Sequence, residues 1–178
     1  MKVIETGQDW EIAALRSSFH VHFLFWRNFM DLKFMDKAFN YAKKAYDLNE
    51  VPIGAVIVKD DKIISFGFNT KESSNCSINH AEILAIKRAQ KKLNNWRLID
   101  CDIYVTLDPC PMCASAIKQA RISNVYSAVE NSDVNNYKLI NEIFKSDSTN
   151  PSVNFFSNLD VDKARLLLND FFEKQRKS

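Results

Sequence analysis

The chain has 178 residues, 46% hydrophobic and 26% charged, with 24 Lys and Arg against 22 Asp and Glu for a net charge of +2. This is the make-up of one globular domain with at most a small appendage; it excludes a disordered or collagen-like chain, and so balanced a charge gives no bulk reason to bind nucleic acid. Three glycines, far below the usual ~7%, leave no glycine-rich phosphate loop, and Gly54 and Gly67 are expected where backbone space is tight.

In chain order, residues 1–34 read as an atypical N-terminal extension. Its aromatic run from Phe19 to Trp26 is too short to cross a bilayer and lacks the basic start and cleavage site of a signal peptide. We expect an upstream-start artefact or a loosely held extension, with His20 and His22 incidental to metal binding. Residues 35–178 form the expected functional domain. Met35, Ala38, Phe39, Ala42, Ala45 and Tyr46 recur at helical spacing, opposite Lys37, Asn40, Lys43, Lys44 and Asp47, which predicts an amphipathic helix. A strand over 51–58, a turn at Asp60-Asp61 and a returning strand over 62–68 come next. Then come a helix over 80–93 (Ile83, Leu84, Ile86 and Ala89 inward), a strand over 102–107, a helix over 111–119 entered through Pro111, and a strand over 123–129. Helical segments over 137–145 and 162–174 close the chain, the last with Ala164, Leu167, Leu168, Phe171 and Phe172 on its apolar face. Strands alternating with helices imply an α/β sandwich. No apolar run approaches the ~18 residues of a membrane span.

The cysteines are Cys76, Cys101, Cys110 and Cys113. A pair three apart in so sparse a set reads as metal or redox chemistry in a reducing compartment, not as a disulfide framework. Cys101, at a strand start, reads as a small buried hydrophobe. His80-Ala81-Glu82 and Pro109-Cys110-Pro111-Met112-Cys113 each open a predicted helix. Cysteines at i and i+3 share a helix face and can point both sulfurs at one metal. With His80 as third ligand the fourth tetrahedral position stays open for water, as in a catalytic zinc site; a closed structural site would need a further ligand, for which Cys76 is the nearby candidate. Helix N-termini favour thiolates. Zinc lowers the pKa of a bound water to about 7, and Glu82, two residues beyond His80, can take its proton and hand it to a leaving amine. Alone, C-x-x-C is equally a redox dithiol or half a zinc knuckle, and His-Ala-Glu says almost nothing. Jointly and in this order they form the H-x-E…P-C-x-x-C pattern already known for zinc nucleobase deaminases.

Further stretches carry a resemblance: Glu50-Val51-Pro52-Ile53-Gly54-Ala55, Gly67-Phe68-Asn69, Asn95-Trp96-Arg97-Leu98, Tyr104 to Ala114, and Leu166 to Phe172. With these, residues from about Met35 to Lys177 resemble the bacterial tRNA-specific adenosine deaminases. The resemblance implies a cytidine-deaminase-like, three-layer αβα sandwich with a mixed five-stranded sheet, and a cytoplasmic homodimer. It implies conversion of adenosine to inosine at the wobble position of a tRNA anticodon stem-loop. It also implies one Zn2+ per chain on His80, Cys110 and Cys113, with Glu82 as proton shuttle. Asn69, Val51 and the backbone amides of Ala81 and Cys110 would line the nucleoside pocket. The chain departs from the family pattern at Asn79, at Asp108 (for Glu), at Ser115, at Ser127-Ala128-Val129-Glu130 (for Gly-Ala-Arg-Asp) and at Pro151. None of these is a metal ligand or the shuttle, so we expect them to bear on RNA contact.

For RNA itself, Lys87, Arg88, Lys91, Lys92 and Arg97 form a basic run, although charge on an outer helix face is commonly plain solvation. The stronger candidates are Phe171, Phe172, Lys174, Arg176 and Lys177, aromatics beside cations at a helix end. The alternatives are a zinc deaminase of a free base or nucleotide, such as guanine or a pyrimidine, and a non-catalytic zinc scaffold, against which Glu82 argues.

Overall fold

The computed structural model describes residues 32–131, 134–146, 151–159 and 161–177. The chain divides at Lys33/Phe34, and the sheet with the helices packed on it belongs to the unit that begins at Phe34. The aromatic run, His20 and His22 lie outside the described residues.

The first helix, α1, covers 32–47 and buries Phe34, Met35, Ala38, Ala42 and Ala45 on one stripe. The elements after it are β1 (Gly54–Lys59), β2 (Lys62–Phe68), α2 (Ala81–Leu93), β3 (Cys101–Leu107), α3 (Pro111–Gln119), β4 (Asn124–Val129), α4 (Val134–Lys145), β5 (Asn154–Phe156) and α5 (Val161–Lys177). They build one five-stranded sheet in the order β2-β1-β3-β4-β5. β1 runs antiparallel to β2 and β3, whereas β3, β4 and β5 are parallel, so the sheet is mixed.

Two glycines fix the helix layers. A Cβ on Gly54 would lie 2.1 Å from the Ala38 carbonyl oxygen of α1, and one on Gly67 would lie 1.9 Å from the Ala81 carbonyl oxygen of α2. Gly67 pairs with Ala55, the neighbour of Gly54. Side chains alternate faces along a strand, so the two glycines seat α1 and α2 on opposite faces. Backbone space is tight at both positions, as expected.

On the α2 face the core joins Ala81, Ala85 and Ala89 to Ile57, Ile103, Val105, Ile117, Val125, Ile140 and Phe144. On the α1 face, Phe34, Tyr104, Tyr126 and Phe156 form a ladder across the strands with ring centroids 5.3, 4.6 and 5.0 Å apart. Helix α5 is tied to α1 by Lys163–Asp36 at 2.9 Å and by the Tyr46–Phe171 ring contact at 6.1 Å. The result is the three-layer αβα sandwich.

Three details differ from the sequence reading. β1 starts at Gly54, not at residue 51: Pro52 has no N–H to give a ladder, and the Ile53 N–H closes a tight turn onto the Val51 carbonyl at 2.7 Å. The inner face of α2 is Ala81, Glu82, Ala85, Ile86 and Ala89, with Ile83 and Leu84 only half-buried, because the Gly67 approach demands alanines. β5 has three residues, too few for any periodic signal.

Candidate active site

His80 and Cys110 occupy the N-cap positions of α2 and α3, with extended backbone (φ −77°, ψ 156° and φ −73°, ψ 166°) and no capping bond from either side chain. An N-cap normally carries Ser, Thr, Asp or Asn, which bonds the helix's free N–H groups. Here both side chains are turned instead to a common point. Cys113 lies one turn into α3, fully buried. The His80 Nδ1 is 3.7 Å from the Cys110 sulfur and 3.6 Å from the Cys113 sulfur, and all three ligand atoms lie within 4.8 Å of one another. Zn–N near 2.05 Å and Zn–S near 2.3 Å at tetrahedral angles require N···S separations of about 3.6 Å. The donor set and its spacing therefore fit zinc. Among the described residues this is the one such group, and it does not include Cys76.

The three side chains shift one another's proton affinities. A hydrogen bond from Cys113, helped by His80, brings the Cys110 thiol down to about 4. The bond to Cys110 raises His80, and the same Cys110 thiolate together with burial pushes Cys113 up. A cation on these atoms would take the place of their protons.

Glu82 is 3% exposed, and its Oε2 has no hydrogen-bond partner. Burial raises its carboxyl to about 7, the range in which a carboxylate both accepts and returns a proton at neutral pH. An orphaned carboxylate oxygen next to a three-ligand metal group has the chemistry of a proton carrier for a bound water.

Asn69 is buried, and its Oδ1 accepts the Ala81 N–H at 2.9 Å. That N–H, expected to line the pocket, is thus spent on holding Asn69. Val51 is half-buried at the turn into β1, and the Asn69 N–H donates to Ile53 O at 3.1 Å, so the two segments lie side by side.

Two positioning devices rest on contacts that the sequence does not predict. Glu50, 1% exposed, accepts the N–H groups of Glu72 and Ser73 at 3.1 and 2.7 Å and the Ser73 hydroxyl at 2.8 Å. It anchors the loop whose other end, closed by Thr70 N–H to Asn79 O at 3.2 Å, delivers His80. Asp108 gathers donors from Ser127, Ser157 and Asn131 beside the Pro109–Cys110 turn. Asp108 and Ser127, separate departures from the family pattern in the sequence and expected to bear on RNA contact, touch each other.

The RNA candidates separate. Phe171 is buried against Tyr46 and Phe172 and belongs to the core. Phe172 is 46% exposed and lines a cleft of about 730 Å3 with Leu107, Val129, Glu130, Asn131 and Arg165. Lys174 bonds Asp170 at 3.1 Å and meets the Tyr46 hydroxyl, whereas Arg176 and Lys177 are simply exposed. In the α2 run, Arg88 donates to Phe66 O at 2.7 Å and Arg97 stacks on Trp96 at 4.1 Å, both structural contacts. Lys91 and Lys92 lie in the last turn of α2, about 17 Å along its axis from His80.

The sequence profile of the MafB19-like deaminases matches residues 29–176. The chain belongs to this family of deaminases. It is 37% identical over 143 residues to the tRNA-specific adenosine deaminase of Streptococcus pyogenes serotype M1, covering 80% of this chain and 84% of that protein. The Rickettsia typhi tRNA-specific adenosine deaminase gives 37% over 144 residues, 80% and 97%. Against the chloroplastic tRNA(adenine(34)) deaminase of Arabidopsis thaliana identity rises to 50% over 99 residues, but the match spans only 8% of that longer protein. A structure from work on A-to-I editing at the wobble position of transfer RNA superposes on the deaminase with TM-score 0.71 at 34% identity, covering 77% of this chain and 99% of that one. The Bacillus subtilis guanine deaminase aligns with TM-score 0.55 at 32% identity, covering 82% and 93%. No helix among the described residues is long and apolar enough to cross a membrane.

Proposed function

We propose that this deaminase converts adenosine to inosine at the wobble position of a tRNA anticodon, with one zinc held by His80, Cys110 and Cys113. The observation that carries the chemistry is the orphaned Oε2 of Glu82 beside a ligand group with zinc spacing. Relatives named for tRNA adenosine support the substrate. Zinc, when bound, supplies a water activated near neutral pH. Glu82 takes a proton from that water as its oxygen bonds to C6 and passes it to N1, then carries the remaining hydroxyl proton to N6 as the C6–N6 bond breaks, so that ammonia leaves and C6 becomes the carbonyl of inosine. The carboxylate ends as it began. Asn69, locked by Ala81, orients the base through its amide. An adenine stacked in a duplex cannot present C6, so the substrate base must be unpaired or turned out, as in an anticodon loop.

The family resemblance supports a homodimer, and a tRNA substrate with four free cysteines supports a cytoplasmic site of action. The B. subtilis relative keeps guanine as the second reading. The test supplies an anticodon stem-loop with A at the wobble position, beside free adenosine, guanine and cytidine, and follows inosine and ammonia. Turnover of the stem-loop alone is expected. Turnover of guanine with the stem-loop untouched overturns the assignment.

A further inference from the structure

We propose that Asp108 is a positioning residue which, with Ser127 and Ser157, clasps the Pro109–Cys110 ligand turn to the wall of the Phe172 cleft. The cleft's role rests on the RNA reading above; the hold on the ligand turn does not.

Asp108 Oδ1 accepts the hydroxyls of Ser127 and, at 2.7 Å, of Ser157, and Oδ2 accepts the Asn131 N–H at 3.3 Å. Its own N–H donates to Val129 O at 2.9 Å. One residue thereby joins the end of β3, the end of β4, the segment after it and the segment after β5. Asp108 is 3% exposed and Ser127 wholly buried. A carboxylate at such depth is costly to desolvate, and apolar side chains would fill the space more stably. What a carboxylate adds is direction: three donors from three segments fix its plane.

That orientation reaches both sides. Toward the metal group, only Pro109 stands between Asp108 and Cys110; it is buried and its ring fixes φ, so displacement of Asp108 carries through to the ligand. Toward the cleft, Val129 and Asn131 are lining residues, and Asn158, next to Ser157, holds Glu130 through bonds of 3.3 Å to its N–H and 3.1 Å to its carboxylate. Substrate seated in the cleft and the Cys110 ligand therefore share one frame.

The fit is set by length. Glu at 108 would carry its carboxylate about one C–C bond, ~1.5 Å, further, into the place of the Ser127 hydroxyl. Removing that hydroxyl makes room. The test uses the full chain with Asp108→Glu, Ser127→Gly and both together. Its readouts are melting temperature, zinc affinity by chelator competition, the visible bands of the cobalt-substituted site, and kcat and KM on the stem-loop. Asp108→Glu is expected to lose about 10–100-fold in zinc affinity or kcat and to shift the cobalt–thiolate bands. Ser127→Gly should lose less, and the double variant should lose about tenfold less, or better, than the product of the two single losses, because the space opened at 127 admits the longer carboxylate. Multiplicative losses, or an Asp108→Glu protein with wild-type bands and kcat, overturn the proposal. Should Asp108→Glu fail to fold, Asp108→Asn keeps the size but turns an N–H2 toward a donor; a fall in kcat with little change in KM or melting temperature supports the clasp, and unchanged kcat overturns it. If the wild type ignores the stem-loop, the RNA reading fails, while the cobalt bands of the double variant still decide the clasp.

Discussion

Among the protein's own groups Oε2 of Glu82 meets no donor, and a buried carboxylate oxygen left so would cost about 1–3 kcal/mol, which a water held beside it would offset. His80 and Cys110 occupy N-caps without capping and forgo about 1 kcal/mol each. Such departures cluster where reactivity is needed. Glu82→Gln should therefore keep its zinc by elemental analysis, melt no lower than the parent, and lose about 10²–10⁴-fold in inosine formation; a fully active variant would assign the proton to another group. Glu50 is the opposite case, a buried carboxylate fully met by donors. Burial pushes it up, but the Ser73 and Glu72 N–H groups and the Ser73 hydroxyl pull harder and hold it below its ordinary value near 4.5. A carboxyl lowered on folding adds stability that is present above its unfolded pKa and lost as pH falls through the folded one. Glu50→Gln should cost stability at pH 7 and little at pH 3, narrowing the gap between the two melting temperatures. An unchanged gap would mean the loop is anchored elsewhere.

Helix α5 shows what one element's pattern tells and what it withholds. Its apolar stripe is plain in Ala164, Leu167, Leu168, Phe171 and Phe172, yet the stripe is wider than the face it packs. Only Ala164, Leu168 and Phe171 are buried, and Phe172 turns to the cleft. Periodicity fixes which residues share a side to within a residue or two, not where a neighbour ends. The two adjacent phenylalanines should thus behave differently. Phe171→Ala should lose about 3–5 kcal/mol of stability. Phe172→Ala should melt like the parent and raise KM for the stem-loop by the loss of ~1–3 kcal/mol of base stacking. Equal effects on melting would place both rings in the core. Strands obey the same logic: β1, β2, β3 and β4 are legible as β-branched or alternating runs, whereas β5, with Phe155 opposite Val125, is three residues long and too short to show a period of its own.

At the scale of the molecule, the proposed ligands and the proposed proton carrier are legible because metal chemistry dictates residue type and spacing together. The groups that aim them are not, since Glu50 bonds a loop more than twenty residues away and Asp108 bonds Ser157 across 49 positions. The domain boundary turns on contacts of the same long range. Met35 opens the regular pattern in the sequence, but Phe34 is 3% exposed, with its ring 5.3 Å from Tyr104 at the head of the aromatic ladder. The family match likewise begins at residue 29. Met30 and Met35 are both available as starts, and they differ in whether Phe34 is kept. A chain beginning at Met30 should fold, bind zinc and melt within a few degrees of the full chain. One beginning at Met35 loses a buried phenylalanine and the first turn of α1, and should be less stable by about 3–5 kcal/mol. Thermal melts of the two side by side decide it. Equal melting would make Phe34 dispensable and support the boundary at Met35; a Met30 chain as unstable as the shorter one would mean that residues before Met30 are needed for stability.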